Sequence, residues 1–348
     1  MAAAGAGAAL PAQDAEHHHH GPAAVAPGEP TTGTLRIRTD RRREQLVFEV
    51  APVDLPAGAS HEGGPQPPVL VGAFPISGWI HGFEVELVDA AERPLPRELL
   101  HHVNFIIPEK RELFSGIMLR IGASGPETKP VKLPRLLGYR VERGDTLLVT
   151  AMLHNPGSRS YDGVRIRVRM QYTAQDDWPS PISIYPLYVD VMPPAGIHAY
   201  DLPAGRSEKS WQGQPAIGGR ILGVGGHLHE YGVELRFEDV TAGKVLWRAT
   251  PRLDEKGKVA GIPSKQFFWR LGVRIHPDHV YRLTAVYENP TGKMIPLGAM
   301  GTMGGVFLPD DGGEWPAVDR TVPDFITDRR VTYRLDRAGA TAGGGHEH

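Results

Sequence analysis

The chain has 348 residues, more than a single hydrophobic core usually serves, so two domains of ordinary size are expected. Its 38 basic and 40 acidic residues leave a formal charge of −2, which provides no broad field for nucleic acid or an acidic membrane surface. There is no cysteine, which excludes disulfides, zinc–thiolate sites, iron–sulfur clusters and cysteine nucleophiles and leaves His, Met and carboxylates as the available metal ligands.

Residues 1–34 read as a leader. The first fifteen (MAAAGAGAALPAQDA) are small and apolar but lack the basic start and strong apolar centre of a secretory signal, so a clipped signal and a disordered tail both remain open. His17 to His20 and the GPAAVAPGEP that follows have the composition of a flexible linker carrying a metal-attracting tract; His346 and His348 in the tail, 336–348, are of the same kind. No apolar run reaches the ~20 residues needed to span a bilayer.

From Leu35 onward the pattern has a period of two: TLRIRT, QLVFEV, FEVELV, RIRVRM, VELRF and YRLTAVY alternate apolar with polar residues, as half-buried strands do. Turn signals (HNPGS, MPPAG, DLPAG, ENPTG) interrupt them, and no segment sustains a 3.6-residue apolar period long enough for a major helix. The expected class is all-β, with two tandem jelly-roll-like β-sandwich domains. The turn-rich stretch Met192–Gly196 suggests a boundary, giving domains at 35–190 and 191–335.

Outside the two tails, five histidines fall in three tight contexts: LLHHVNF (His101, His102), AMLHNPG (His154) and GGHLHEYG (His227, His229). Residues i and i+2 of a strand share a face, so His227 and His229 would stand side by side at a spacing one ion can bridge. Adjacent His101 and His102 point to opposite faces of a regular strand and can share an ion only at a strand end, at a bulge or through different ring nitrogens. His154 ends the apolar strand TLLVTAML just before a turn, where a side chain can aim into a neighbouring cleft. Taken singly, each is as well explained by a surface, turn-capping or hydrogen-bonded histidine. His81, in GWIHGFEVEL, reads as a buried hydrogen-bonded residue or one that orients a ligand imidazole. His276 and His279 (RIHPDHVYR) read as an exposed turn, and Glu230 and Tyr231 as a polar face or a cleft wall. No strand-to-helix GxSxG, Walker or dinucleotide fingerprint occurs.

Taken in order, LLHHVNF, TLLVTAMLHNPG, VMPPAG, GGHLHEYG and a methionine-rich loop after VYENPTG resemble, across residues 35–310, the copper type II, ascorbate-dependent monooxygenases, the peptidylglycine α-hydroxylating and dopamine β-hydroxylating family. The resemblance implies two coppers, one held by His101, His102 and His154 and the other, catalytic, by His227, His229 and a methionine. The family's Glu-Met-Cys context is absent from GKMIPLGAMGTMGGVF; Met303 is the first choice because it precedes the strand-like GGVFLP, Met300 is second, and Met294 reads as core filling. A thioether is soft and favours Cu(I), the form that meets dioxygen.

The implied function is hydroxylation of a C–H bond of a small molecule with dioxygen, with ascorbate or another one-electron donor as reductant and a periplasmic or extracellular location. Nucleic acid and membrane partners are not expected. Gly225, Gly305 and Phe307 occupy the places where peptide-amidating members read a substrate carboxylate, which argues against peptide amidation and for a less polar substrate. The alternatives are a non-catalytic copper-binding or copper-buffering protein on the same scaffold, which the terminal histidine tracts favour, and an adhesion or carbohydrate-binding module with incidental histidines.

Overall fold

A computed structural model of the chain describes residues 32–60, 63–126, 130–193, 198–255, 259–267, 271–310 and 315–335. It is an all-β protein of two sandwiches, as the period-two segments require. Five of the six segments lie in strands: QLVFEV in Gln45–Leu55, FEVELV in Gly78–Val88, RIRVRM in Tyr161–Ala174, VELRF in Gly232–Asp239 and YRLTAVY in Tyr281–Asn289; TLRIRT is instead split between the short strands Gly33–Thr34 and Arg38–Asp40, with residues 35–37 in neither. In Tyr161–Ala174 the apolar Val164, Ile166, Val168 and Met170 face inward, while Arg165, Arg167 and Arg169 face outward and pair with Glu49 and Glu86 of the neighbouring strands and Glu92 of the turn after Gly78–Val88. Alternation along the strand thus becomes a dry face and a salt-bridged face of one sheet.

In the first sandwich, one sheet runs Gly33–Thr34, Leu70–Ala73, Thr146–Leu153, Leu100–Arg111, Met118–Ser124. The other is built round Gly78–Val88, Tyr161–Ala174 and Gln45–Leu55. They meet where Phe105 of the first sheet lies edge-on to Phe48 and Phe83 of the second, at ring separations of 6.0 and 5.0 Å. The second sandwich sets Tyr185–Asp190, Gly301–Pro309 and Gly219–Leu228 against Gly205–Gly213, Tyr281–Asn289, Gly232–Asp239 and Lys244–Ala249.

The two sandwiches repeat one local device. Asn155 of HNPG donates from Nδ2 to the carbonyls of Leu55, Pro56 and Arg159; Asn289 of ENPTG donates in the same way to Leu202, Pro203 and Lys293. Both asparagines are buried at 1% exposure, so each turn is fixed from inside rather than left to solvent.

The division between domains differs from the boundary expected at 190/191. Ile182–Ser183 pairs with Leu137–Gly138 of the first sandwich, but Tyr185–Asp190 already pairs with Thr302–Phe307 of the second, so the crossing falls at Ile184. The last segment does not stay with the second sandwich either. Ala317 bridges to Lys110, the Trp315 indole donates to the Arg111 carbonyl, and the helix Pro323–Thr332 packs on the first sandwich. That helix, which hydrophobic periodicity does not reveal, starts with proline in its first turn and is held by buried Asp328. The Asp328 carboxylate pairs with the Arg120 guanidinium and accepts from the Met118 N–H at 3.0 Å.

Phe114, on the loop after Leu100–Arg111, enters the second sandwich and lies edge-on to Phe237 and Tyr281, while Tyr185 stacks on Trp315 at 4.1 Å and stands edge-on to Tyr139. The neighbouring Glu112 is fully buried, and burial pushes its carboxyl up to about 8 from an ordinary value of 4.5. An acid whose folded value is raised stabilises the fold fully below its unfolded value and loses that contribution as the pH rises to the folded value. Stability in urea is therefore expected to fall between pH 4.5 and about 8, with Glu112→Gln flattening the slope; an unchanged slope in the variant would assign it to other groups.

Candidate metal-binding site

His101 and His102 lie near the start of Leu100–Arg111, on the edge of the ladder with Thr146–Leu153. His102 stands opposite Met152, but the next pair is Leu100 with Leu153, so His101 is an extra residue in its strand, a β-bulge. The bulge breaks the alternation that would send the two rings to opposite faces, and their centres come to 5.0 Å. His154 follows the end of the partner strand. Its N–H donates to the Leu99 carbonyl at 3.0 Å, and its ring centre lies 5.5 Å from that of His101. The three histidines expected to hold the first copper are thus brought together, with His101 between the other two, all half-buried.

Imidazoles bound to one ion through metal–nitrogen bonds of about 2 Å place their ring centres about 5 Å apart, so the spacing fits a shared ion. Among the described residues, however, no group of three or more His, Cys, Asp or Glu has its ligand atoms gathered closely enough to hold an ion as they stand. Bringing them onto one ion would take rotation about side-chain bonds, His101 already lying within 5.5 Å of each of the other two rings.

His227 is the penultimate residue of Gly219–Leu228, and His229 follows its end; their ring centres are 5.3 Å apart. Tyr231 turns the chain at once with φ of 68°, and Gly232 N–H donates back to the His229 carbonyl. Burial and the neighbouring His227 hold the His229 imidazole below its usual value, hydrogen bonds to the Gly298 and Leu297 carbonyls opposing them. The neutral form is the one a ligand histidine takes, and backbone carbonyls beside the ring are the kind of partner that fixes its orientation.

Met303, the first-choice soft ligand, is not brought to this pair. It is fully buried and stands opposite Gly226, on the sheet face where a Cβ at Gly226 would meet Leu235 and Trp247. His227 stands opposite Thr302, on the other face. Met300 is half-buried in the bend before Gly301–Pro309 and is tied to His229 by the Tyr287 hydroxyl. That oxygen accepts from the N–H groups of His229 and Met300, each at 3.0 Å, and donates to the Met300 carbonyl. Met294 is 59% exposed and fills no core.

Tyr287 carries no motif of its own. Its only sequence signal is its place two residues before Asn289 at the end of a strand, so it was not among the expected site residues. His81 is a buried hydrogen-bonded histidine, with Nδ1 2.7 Å from the Leu137 carbonyl and Nε2 2.7 Å from the Thr173 hydroxyl. His276 and His279 are half-buried rather than exposed, and His279 Nδ1 lies 2.7 Å from Oδ2 of buried Asp239, a partner 40 residues distant. His17 to His20, His346 and His348 lie outside the described residues.

No family model and no curated protein matches the chain. Among solved structures it is similar to PNGF-II in its P21 crystal form, with a TM-score of 0.37 and 10% identity over 81% of this chain and 63% of that one. The C2 form of PNGF-II gives 0.35 and 11% over 80% and 62%. The infectious bursal disease virus VP2 subviral particle gives 0.23 and 12% over 81% and 72%. The chain spans a little over three fifths of the length of the PNGF-II chains.

Tyr287→Phe deletes the oxygen that serves two backbone N–H groups in a fully buried position and is expected to cost about 1–3 kcal/mol in urea denaturation. A cost within a few tenths would mean water replaces the hydroxyl and that the link between His229 and Met300 is loose.

Proposed function

We propose that the protein is a copper-dependent monooxygenase that hydroxylates a C–H bond of a small molecule. The observation that carries this reading is the bulge at His101, which sets two adjacent histidines beside a third that follows the next strand. His101, His102 and His154 would hold one ion. His227, His229 and Met300 would hold the other, two imidazoles and a thioether being a donor set that favours Cu(I). Bound copper supplies the dioxygen binding and one-electron chemistry that side chains lack. Overall, substrate C–H and dioxygen, with two electrons and two protons, give C–OH and water, the electrons coming from ascorbate or another one-electron donor.

The residues contribute position. The carbonyls of Leu297 and Gly298 orient the His229 ring, the Tyr287 hydroxyl sets the distance from His229 to the Met300 backbone, and the Leu99 carbonyl fixes the start of the turn that bears His154. With glycine at 225, the position two residues before His227 offers no bidentate fork for a substrate carboxylate.

The test is anaerobic Cu(I) titration with X-ray absorption. Wild type is expected to bind both ions and His154→Ala to lose one. The sulfur scatterer is expected to vanish in Met300→Ile and persist in Met303→Ile, and reductant-dependent oxygen consumption should be lost in His227→Ala. Less than one tightly bound copper would end the reading, and full copper binding without oxygen consumption would favour a copper-buffering protein.

A further inference from the structure

Between the two sandwiches lies a half-open hollow of about 360 Å³, within the range of small-molecule sites. Its wall includes Ile80, Phe83, Ile121 and Met170 of the first sandwich and Leu187 and Val306 of the second. We propose that this hollow binds an uncharged, hydrocarbon-rich small molecule.

Three observations carry the proposal. The first concerns the polar groups in the wall, whose polar atoms are engaged elsewhere. The Arg120 guanidinium is neutralised by Asp328 and donates to the Met118 carbonyl, the Tyr139 hydroxyl accepts from Lys110 at 3.3 Å, and the Tyr188 hydroxyl donates to Asp190 at 2.6 Å. A charged ligand would have to give up its hydration for an apolar surface with no compensating partner.

The second concerns the glycines that line the hollow. A Cβ at Gly82 would strike the Val131 carbonyl at 2.0 Å, one at Gly122 the Phe83 ring at 2.4 Å, and one at Gly305 the Gly223 carbonyl at 2.5 Å; these three are required by close packing. At Gly304 the nearest atom is 3.9 Å away, so the space there exists because no side chain fills it.

The third is position. His227 faces the same side of the sheet as Thr302, its cross-strand partner. Gly304 is two residues further on that face, about 7 Å along the strand, and stands opposite Gly225, where a Cβ would also meet nothing closer than 3.8 Å. The floor of the hollow therefore continues the face that bears His227. As the place where a substrate C–H waits, the hollow rests on the copper reading; as a ligand site it does not.

The experiment uses the full chain without copper, so that failure of the copper reading cannot affect it, and follows the fluorescence of the uncharged probe N-phenyl-1-naphthylamine. Saturable binding is expected, weakened at least tenfold in Gly304→Leu and by an intermediate factor in Gly304→Ala, with unchanged circular dichroism. Camphor is expected to displace the probe at least tenfold more effectively than camphorsulfonate, which has the same skeleton with a negative charge. Should Gly304→Leu lose the fold, Ile121→Trp on the facing wall is expected to give the same weakening. No saturable binding, an affinity indifferent to both substitutions, or preferential displacement by camphorsulfonate would each overturn the proposal.

Discussion

A β-strand sends successive side chains to opposite faces, and that constraint decides what two adjacent histidines can do together. In a regular strand His101 and His102 would serve different environments. The extra residue at His101 breaks the alternation one residue from the strand end, beside the Leu100–Leu153 pair, both of which are buried to within 1%. At the end it disturbs only the edge of the ladder, and His154, leaving the partner strand at the same level, completes the group. The buried Asn155 that follows fixes the turn from beneath, so the ring positions rest on the core rather than on a mobile loop.

A chain without cysteine must join its two sandwiches by packing. Among the contacts that do so are aromatic pairs from segments that leave one sandwich for the other: Phe114 against Phe237 and Tyr281, and Tyr185 between Tyr139 and Trp315. Such ring pairs contribute about 0.5–1.5 kcal/mol each beyond the area they bury, and they are directional, so they fix orientation as well as adhesion. The C-terminal helix adds a closing element. Its buried Asp328 reaches the half-buried Arg120 and the Met118 N–H, which makes the first sandwich depend on residues that follow the second in the chain. The hollow next to Arg120 is thus framed by both sandwiches and by the segment that returns between them.

The strands were legible in the sequence because burial on one face writes a period of two directly into residue type, as in the Arg–Val–Arg–Met run of Tyr161–Ala174. The histidine contexts were legible as well, being short and local. The register was not. Whether His101 is bulged depends on how Leu100–Arg111 lies against Thr146–Leu153, strands separated by dozens of residues, and no local signal specifies it. The domain boundary was misplaced for a related reason. MPPAG is a strong turn signal, but the pairing partner of Tyr185–Asp190 is the strand Gly301–Pro309, more than a hundred residues away. The short C-terminal helix was missed because tertiary contacts at Phe325 and Asp328, rather than an apolar stripe, hold it in place.

Parity along one strand also explains the methionines and the hollow together. Distance to a following strand favoured Met303, but distance does not say which face a residue takes. Counting across from His227 to Thr302 puts Met303 on the core face with Gly226, and puts Gly304 and Gly225 on the face of His227. The same alternation that removes Met303 from the histidine pair therefore leaves two facing positions without side chains beside it. In the sequence Gly225 and Gly304 are two ordinary glycines, 79 residues apart. In the fold they are one feature: a patch without side chains next to a pair of imidazoles, where any selection among ligands would rest on shape and desolvation rather than on charge.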